Sequence, residues 1–242
     1  MAQEWIDDPK LKCVVLCAGR GQRLGAQAND LPKVLSAVED RPILGYVVDY
    51  WRRYTQDFVF VVHYKKEEVI DFVRRLPVTT AWVEQPELRG IANALTYAAP
   101  LIENKFILVL GDCMCDGEFQ FPDQMQQGIG IWETDELDAI RRSYSVEFDD
   151  QHKVYRVIEK PKVLPNRWCG LGFYFFDRRI FDYIRRTPTS ALRGEIEITD
   201  VIQKMVDGGE PIAAVPFRGN YLNVTFPEDI LRAASLFSGK TR

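Results

Sequence analysis

Leu11-Lys12-Cys13-Val14-Val15-Leu16-Cys17 runs directly into Ala18-Gly19-Arg20-Gly21-Gln22-Arg23-Leu24-Gly25. The first of these stretches is a nearly unbroken apolar run of strand length, the pattern of a strand covered on both faces. The glycines of the second let backbone N–H groups approach phosphate oxygens closely, and unpaired N–H groups in such a turn form an anion nest. Arg20 and Arg23 lie inside this loop, and Lys33 follows Pro32 a short way on. Three cations near one loop call for an anionic partner.

Working outward, strand-like runs at residues 58–62, 78–83 and 105–110 alternate with helical patterns. One helix, opened by Pro42, places Ile43, Leu44, Val47, Val48 and Trp51 at helical spacing; others cover 65–76 and 91–99. The order β-α-β-α-β-α-β predicts an α/β fold of βαβ units around a mostly parallel sheet. The second half predicts strands at 128–132, 140–147, 154–158, 168–176 and 211–217 and helices at 177–185, 198–206 and 227–236. Gly208-Gly209 stops the middle helix. No linker or repeat interrupts the chain, so the expectation is one domain over 1–242 with both halves in one sheet.

The 242 residues are 46% hydrophobic and 27% charged, a balance that suits a globular core and not a disordered chain. Lys plus Arg number 31 against 35 Asp plus Glu, a net charge of −4, which excludes a nucleic-acid partner that relies on general basic excess. The acidic start does not have the form of a secretory signal, and no apolar stretch reaches the ~18 residues of a spanning helix, so the expected location is cytoplasmic with no membrane partner. Five cysteines inside apolar runs are expected to be reduced and buried. Cys113 and Cys115 fall short of a four-ligand zinc site, and His63 and His152 offer little for histidine chemistry. The third glycine of the loop, Gly25, is displaced from the dinucleotide pattern, and a long polar stretch precedes any helix, which disfavours NAD. Gly239-Lys240-Thr241 mimics part of a P-loop but has no strand before it.

Leu16-Cys17-Ala18-Gly19-Arg20-Gly21-Gln22-Arg23-Leu24 followed by Leu31-Pro32-Lys33 resembles the signature of the sugar-1-phosphate nucleotidylyltransferases, or nucleotide-sugar pyrophosphorylases. Further matches follow in the family's order: Glu84-Gln85-Pro86 with Gly90-Ile91-Ala92, Leu110-Gly111-Asp112, Ile158-Glu159-Lys160-Pro161 and Cys169-Gly170-Leu171-Gly172. Arg193-Gly194-Glu195-Ile196-Glu197-Ile198-Thr199-Asp200 is especially similar to glucose-1-phosphate thymidylyltransferases.

The resemblance implies the Rossmann-like nucleotide-diphospho-sugar transferase fold, an α/β fold with a mixed, mostly parallel central sheet and helices on both faces. A nucleotide-binding half would cover about 10–115 and a sugar-phosphate half about 116–242. It also implies nucleotidyl transfer from a nucleoside triphosphate, with dTTP or UTP favoured, to a glucose-like sugar 1-phosphate with release of pyrophosphate. Arg23, Lys33, Asp112 and Lys160 would be catalytic; Ala18, Gly19, Arg20, Gly21, Gln85 and Gly90 would bind the nucleotide; Glu159, Lys160, Gly170, Arg193 and Glu195 would bind the sugar phosphate. Mg²⁺ would be the cofactor, held by Asp112 and by Asn223 where the family commonly has aspartate, with Asp116 and Asp229 as nearby carboxylates. A homo-oligomer is implied. The sequence shows no hexapeptide-repeat tail of the kind that some members use for acetyl transfer, so that second activity is not expected. Two alternatives stay open: a noncatalytic nucleotide-sugar-binding homologue, and a cytidylyl- or guanylyltransferase acting on a phosphate other than a glucose one.

Overall fold

The computed structural model of the chain describes residues 5–24, 31–190 and 194–237. The first half runs β1 (Lys12–Leu16), a 3-10 turn (Lys33–Leu35), β2 (Ala37–Val38), β3 (Arg41–Pro42), α1 (Ile43–Trp51), β4 (Asp57–Val62), α2 (Lys66–Val73), β5 (Thr79–Glu84), α3 (Gly90–Ala98) and β6 (Phe106–Leu110). There follow β7 (Cys113–Phe119), β8 (Gln127–Glu133), α4 (Leu137–Arg142), β9 (Tyr144–Phe148), β10 (Val154–Glu159), β11 (Trp168–Phe176), α5 (Arg179–Arg186), α6 (Ile198–Asp207), β12 (Ile212–Asn223) and α7 (Pro227–Phe237).

Alternate residues of the apolar strands enter opposite layers. Cys13, Val15, Phe58, Phe60 and Val62 join one buried cluster, and Val14, Val59 and Val61 join the other. A strand that is apolar on both faces must be covered on both. The first layer is completed by α1, α2 and α7 through residues such as Trp51, Val69 and Phe237. The second is completed by α3, α5 and α6 through Leu95, Ile180 and Ile202. Both halves contribute to one mixed sheet of order β5-β4-β1-β6-β11-β8-β12-β7, with β9 attached to β11 and β10 to β9. The sheet is parallel from β5 through β6 and turns antiparallel at β11. From β1 the chain goes outward to β4 and β5, then returns through α3 to β6 on the other side of β1. The carboxyl ends of β1 and β6 are therefore the switch point where open α/β sheets bind ligands.

Three expectations need correction. Residues 140–147 are not one strand: α4 ends at Arg142 and β9 begins at Tyr144, with Ile140 alone buried in the helix and Arg141 and Arg142 in its last turn, where cations suit the helix dipole. The strand expected at 211–217 continues to Asn223. Its first part pairs in parallel with β8, and residues 217–223 pair antiparallel with β7, a strand whose Asp116-Gly117-Glu118 gave no apolar alternation to read. Pro42 precedes α1 rather than starting it, with φ −59° and ψ 143°, and pairs with Ala37 in a small hairpin. The five cysteines are free thiols, all buried, and Gly208 and Gly209 close α6 as expected. Among the described residues no helix is long and apolar enough to cross a membrane.

Candidate active site

The loop after β1 is closed by Leu24, which is buried and donates its N–H to the Gly21 carbonyl at 2.9 Å. Gly21 has φ +67°, and a Cβ there would lie 2.7 Å from the Lys33 Cβ, so only glycine lets the loop rest against that lysine. Lys33 opens the 3-10 turn and reaches across to Asp112, with Nζ 2.5 Å from Oδ2 and side-chain exposures of 13% and 24%. Asp112 lies in the turn after β6, one residue past Gly111. Its carbonyl accepts the Val224 N–H at 2.9 Å, which fixes the end of β12, and with it Asn223, beside the switch point. Tyr221, partly buried on β12, braces this region: its hydroxyl is 3.2 Å from Cys113 Sγ and accepts the Gly172 N–H at 3.3 Å.

Three abutting cavities follow from this arrangement. The largest, about 560 Å³, is lined by Gly19, Arg20, Gly21, Arg23, Lys33, Asp112 and Asn223. A second, about 330 Å³, holds Ala18, Gln85, Gly90 and Glu195 and shares Gly19, Lys33, Leu88 and Asp112 with the first. A third, about 360 Å³, holds Lys160, Arg142, Trp132 and Tyr221 and shares Arg23, Asn223 and Thr225 with the first. The central cavity thus sets three cations against one carboxylate, a field that draws a polyanion.

Most expected site residues meet in this row of cavities. Gln85 is buried and donates from Nε2 to Asn93 Oδ1 at 3.1 Å, which orients its amide. Lys160 follows β10 with φ +43°, a strained backbone for a non-glycine residue and of a kind that clusters at functional sites. Its N–H is held by the Ser143 carbonyl at 2.8 Å. Glu159 lines none of the three cavities. It accepts from Thr199 Oγ1 at 3.2 Å and lies 3.4 Å from Lys160 Nζ, and burial holds its carboxyl above the usual range against the pull of Lys160.

Gly170, expected among the sugar-phosphate residues, is buried and lines none of the three cavities. A Cβ there would fall 1.9 Å from the ring of Tyr144, its partner across the strands. Glu195, expected on the sugar side, lines the cavity of Gln85 and Gly90. Asp229 is committed to the start of α7, where Oδ2 accepts the N–H groups of Thr225 and Phe226 at 2.7 and 2.8 Å. Asp116 lies opposite Asn220 in the β7–β12 pair and lines none of the three cavities. Arg193 lies outside the described residues. Sequence reading assigned no role to Arg142, Trp132, Tyr221 or Thr225; Tyr221 and Thr225 flank Asn223, and the basic pair Arg141-Arg142 was the signal available for Arg142.

Comparison with known proteins agrees with this geometry. The family model described as nucleotidyl transferase matches residues 12–237. The chain is 33% identical over 230 residues to UTP–glucose-1-phosphate uridylyltransferase AglF of Haloferax volcanii, covering 90% of this chain and 93% of that protein. It is 26% identical over 223 residues to the bifunctional protein GlmU of Methanocaldococcus jannaschii, covering 92% of this chain and 53% of that one, so it spans about half the length of such GlmU relatives. In fold it is similar to the inositol-1-phosphate CTP transferase from T. maritima, with a TM-score of 0.79 at 21% identity over 96% of this chain and 97% of that one. Because the family model runs from β1 into α7 and the likeness to AglF extends along nearly the whole of both chains, this chain belongs to the nucleotidyl transferase family.

Proposed function

We propose that this chain transfers a nucleotidyl group from UTP or dTTP to a glucose-like sugar 1-phosphate with Mg²⁺. An oxygen of the sugar phosphate attacks the α-phosphorus, the bond from that phosphorus to the bridging oxygen breaks, and pyrophosphate leaves. The observation that carries this reading is the row of three cavities: Lys33 and Asp112 stand where the first meets the second, and Arg23 and Asn223 where the first meets the third. Two polyanions can enter from opposite ends and meet among cations.

The attacking phosphate has a second pKa of about 6 and is largely ionised at neutral pH, so the reaction needs no general base. What it needs is positioning and relief of charge repulsion, which reaches roughly 4 kcal/mol per unit pair at 4 Å and an effective dielectric of 20. Arg23 and the loop N–H groups of Gly19 and Gly21 would hold the triphosphate, Lys33 the phosphates at the reacting centre, and Lys160 the sugar phosphate. Gln85, Gly90 and Ala18 would meet the base and ribose.

Asp112 and Asn223 offer a carboxylate and an amide oxygen to one cavity. Among the described residues no cluster of three or more His, Cys, Asp or Glu could hold a metal by itself. That donor set suits Mg²⁺, which takes hard oxygen ligands and commonly relies on one or two carboxylates plus substrate phosphates and water. When bound, the ion would neutralise phosphate charge. UTP is favoured by the likeness to AglF, whose name states that donor.

Pyrophosphate release, measured with Mg²⁺ across UTP, dTTP, CTP, ATP and GTP against sugar 1-phosphates and inositol 1-phosphate, tests the reading. Release that needs both substrates, is strongest with UTP or dTTP, and is lost in Asp112→Ala is expected. Silence across the panel, with nucleotide sugars still bound, would turn the reading toward a noncatalytic binder.

A further inference from the structure

We propose that the cavity around Lys160 selects a sugar acid 1-phosphate, an acceptor with a carboxylate in addition to its phosphate, and that Arg142 holds the carboxylate. This rests on the reading of the chain as a transferase to a sugar 1-phosphate. The acceptor's phosphate must reach the central cavity, which opens into this one at Arg23, Asn223 and Thr225. Trp132, Arg142 and Arg232 line this cavity and not the central one, so they face the part of the acceptor that stays outside the central cavity.

The charges on that wall are mostly answered within the protein. Arg232 Nη1 donates to Glu136 Oε2 at 3.0 Å. Arg141 Nη1 donates to Asp138 Oδ1 at 3.0 Å. Lys160 lies 3.4 Å from Glu159, and Asp229 is taken by two backbone N–H groups. Arg142, exposed at the end of α4, has no ion pair among the described residues. Its neighbour Ser143 accepts the Lys160 N–H, so the backbone brings Arg142 and Lys160 into the same cavity, where the carboxylate and the phosphate of one acceptor would each meet a cation. Hydroxyl groups alone give no reason for an unanswered guanidinium there. Its planar fork of donors matches a carboxylate at two points. An acceptor with a positive group at that end, such as a 6-amino sugar or a choline, would be repelled.

Three acceptors of one ring shape separate the possibilities by calorimetric titration: glucuronic acid 1-phosphate, glucose 1-phosphate and 6-amino-6-deoxyglucose 1-phosphate, which differ only at the carbon outside the ring. A hydrogen bond to a charged group contributes about 1.5–3 kcal/mol, or roughly 10- to 150-fold in Kd. The uronate is expected to bind at least about tenfold tighter than glucose 1-phosphate, with the amino sugar weakest. In Arg142→Gln the uronate-to-glucose ratio should shrink to about threefold or less, whereas Arg142→Lys should keep the order. Equal affinities in the parent protein, an unchanged ratio in Arg142→Gln, or no binding of any acceptor would each overturn the proposal. So would an equal loss for all three acceptors in Arg142→Gln, which would mean that Arg142 grips the phosphate they share. Pyrophosphate release on the same samples keeps the two readings apart. A uronate preference in binding without release from any triphosphate upholds the carboxylate site and overturns the transferase reading, and release with no preference does the reverse.

Discussion

The ion pair between Lys33 and Asp112 joins stability to chemistry, and a double-mutant cycle with Lys33→Met and Asp112→Asn separates the two. At 2.5 Å, with side chains 13% and 24% exposed, the pair lies between an exposed salt bridge, which contributes about 0.2–1 kcal/mol, and a buried one, whose breaking costs about 3–5 kcal/mol. A coupling energy of about 1–2 kcal/mol is expected between those limits. The surroundings make the cycle asymmetric. Asp112→Asn leaves Arg20, Arg23 and Lys33 lining one cavity with no carboxylate among the residues that line it, whereas Lys33→Met leaves Asp112 with two arginines still lining that cavity. The aspartate variant should therefore lose more stability, about 2–3 kcal/mol against 1–2, or roughly 2–4 °C in Tm per kcal/mol for a chain of this size. The assay is urea unfolding followed by far-ultraviolet circular dichroism, with pyrophosphate release measured on the same four proteins. The double variant should regain part of the lost stability and none of the activity. Effects that add within about 0.5 kcal/mol, or a lysine variant less stable than the aspartate variant, would refute the reasoning.

Gly170→Ala should lower stability by at least about 1–3 kcal/mol, because its Cβ falls inside the Tyr144 ring; an unchanged Tm would show that the strands yield freely there. Burial holds the Glu159 carboxyl up, with Lys160 opposing and Glu197 adding to the rise. Its contribution to stability is therefore complete below the unfolded value near 4.3 and is lost as pH climbs through the higher folded value. Glu159→Gln, neutral throughout, should gain Tm relative to the parent from pH 4 to pH 8, and a flat or falling difference would contradict this. All five thiols should stay silent to a thiol-reactive disulfide reagent until denaturant is added, since all are buried and burial raises their pKa values, that of Cys169 to about 12. Fast labelling of any thiol in the native protein would count against that packing.

Local chemistry carried most of the first half and the centre of the site. The apolar runs around Val14, Val59 and Leu108 needed cover on two faces, and that requirement follows from composition along a few consecutive residues. The cations Arg20, Arg23 and Lys33 and the glycine at position 21 were legible for the same reason, because a glycine-rich loop with cations suited to an anion is written in a few consecutive residues. Beyond that, distant contacts rule. The strand β7 escaped notice because its partner, the second half of β12, lies about a hundred residues away, and pairing across such a distance leaves no period in either segment. Gly170 answers a packing demand of which its own sequence gives no sign, the ring of Tyr144 filling the space that a side chain would need. Glu195 moved from the sugar side to the side of Gln85 for a similar reason: the chain path before α6 decides which cavity it enters. Residue type and short spacing therefore determine which groups can bind phosphate, while side-chain packing across the sheet determines which of them face the same ligand.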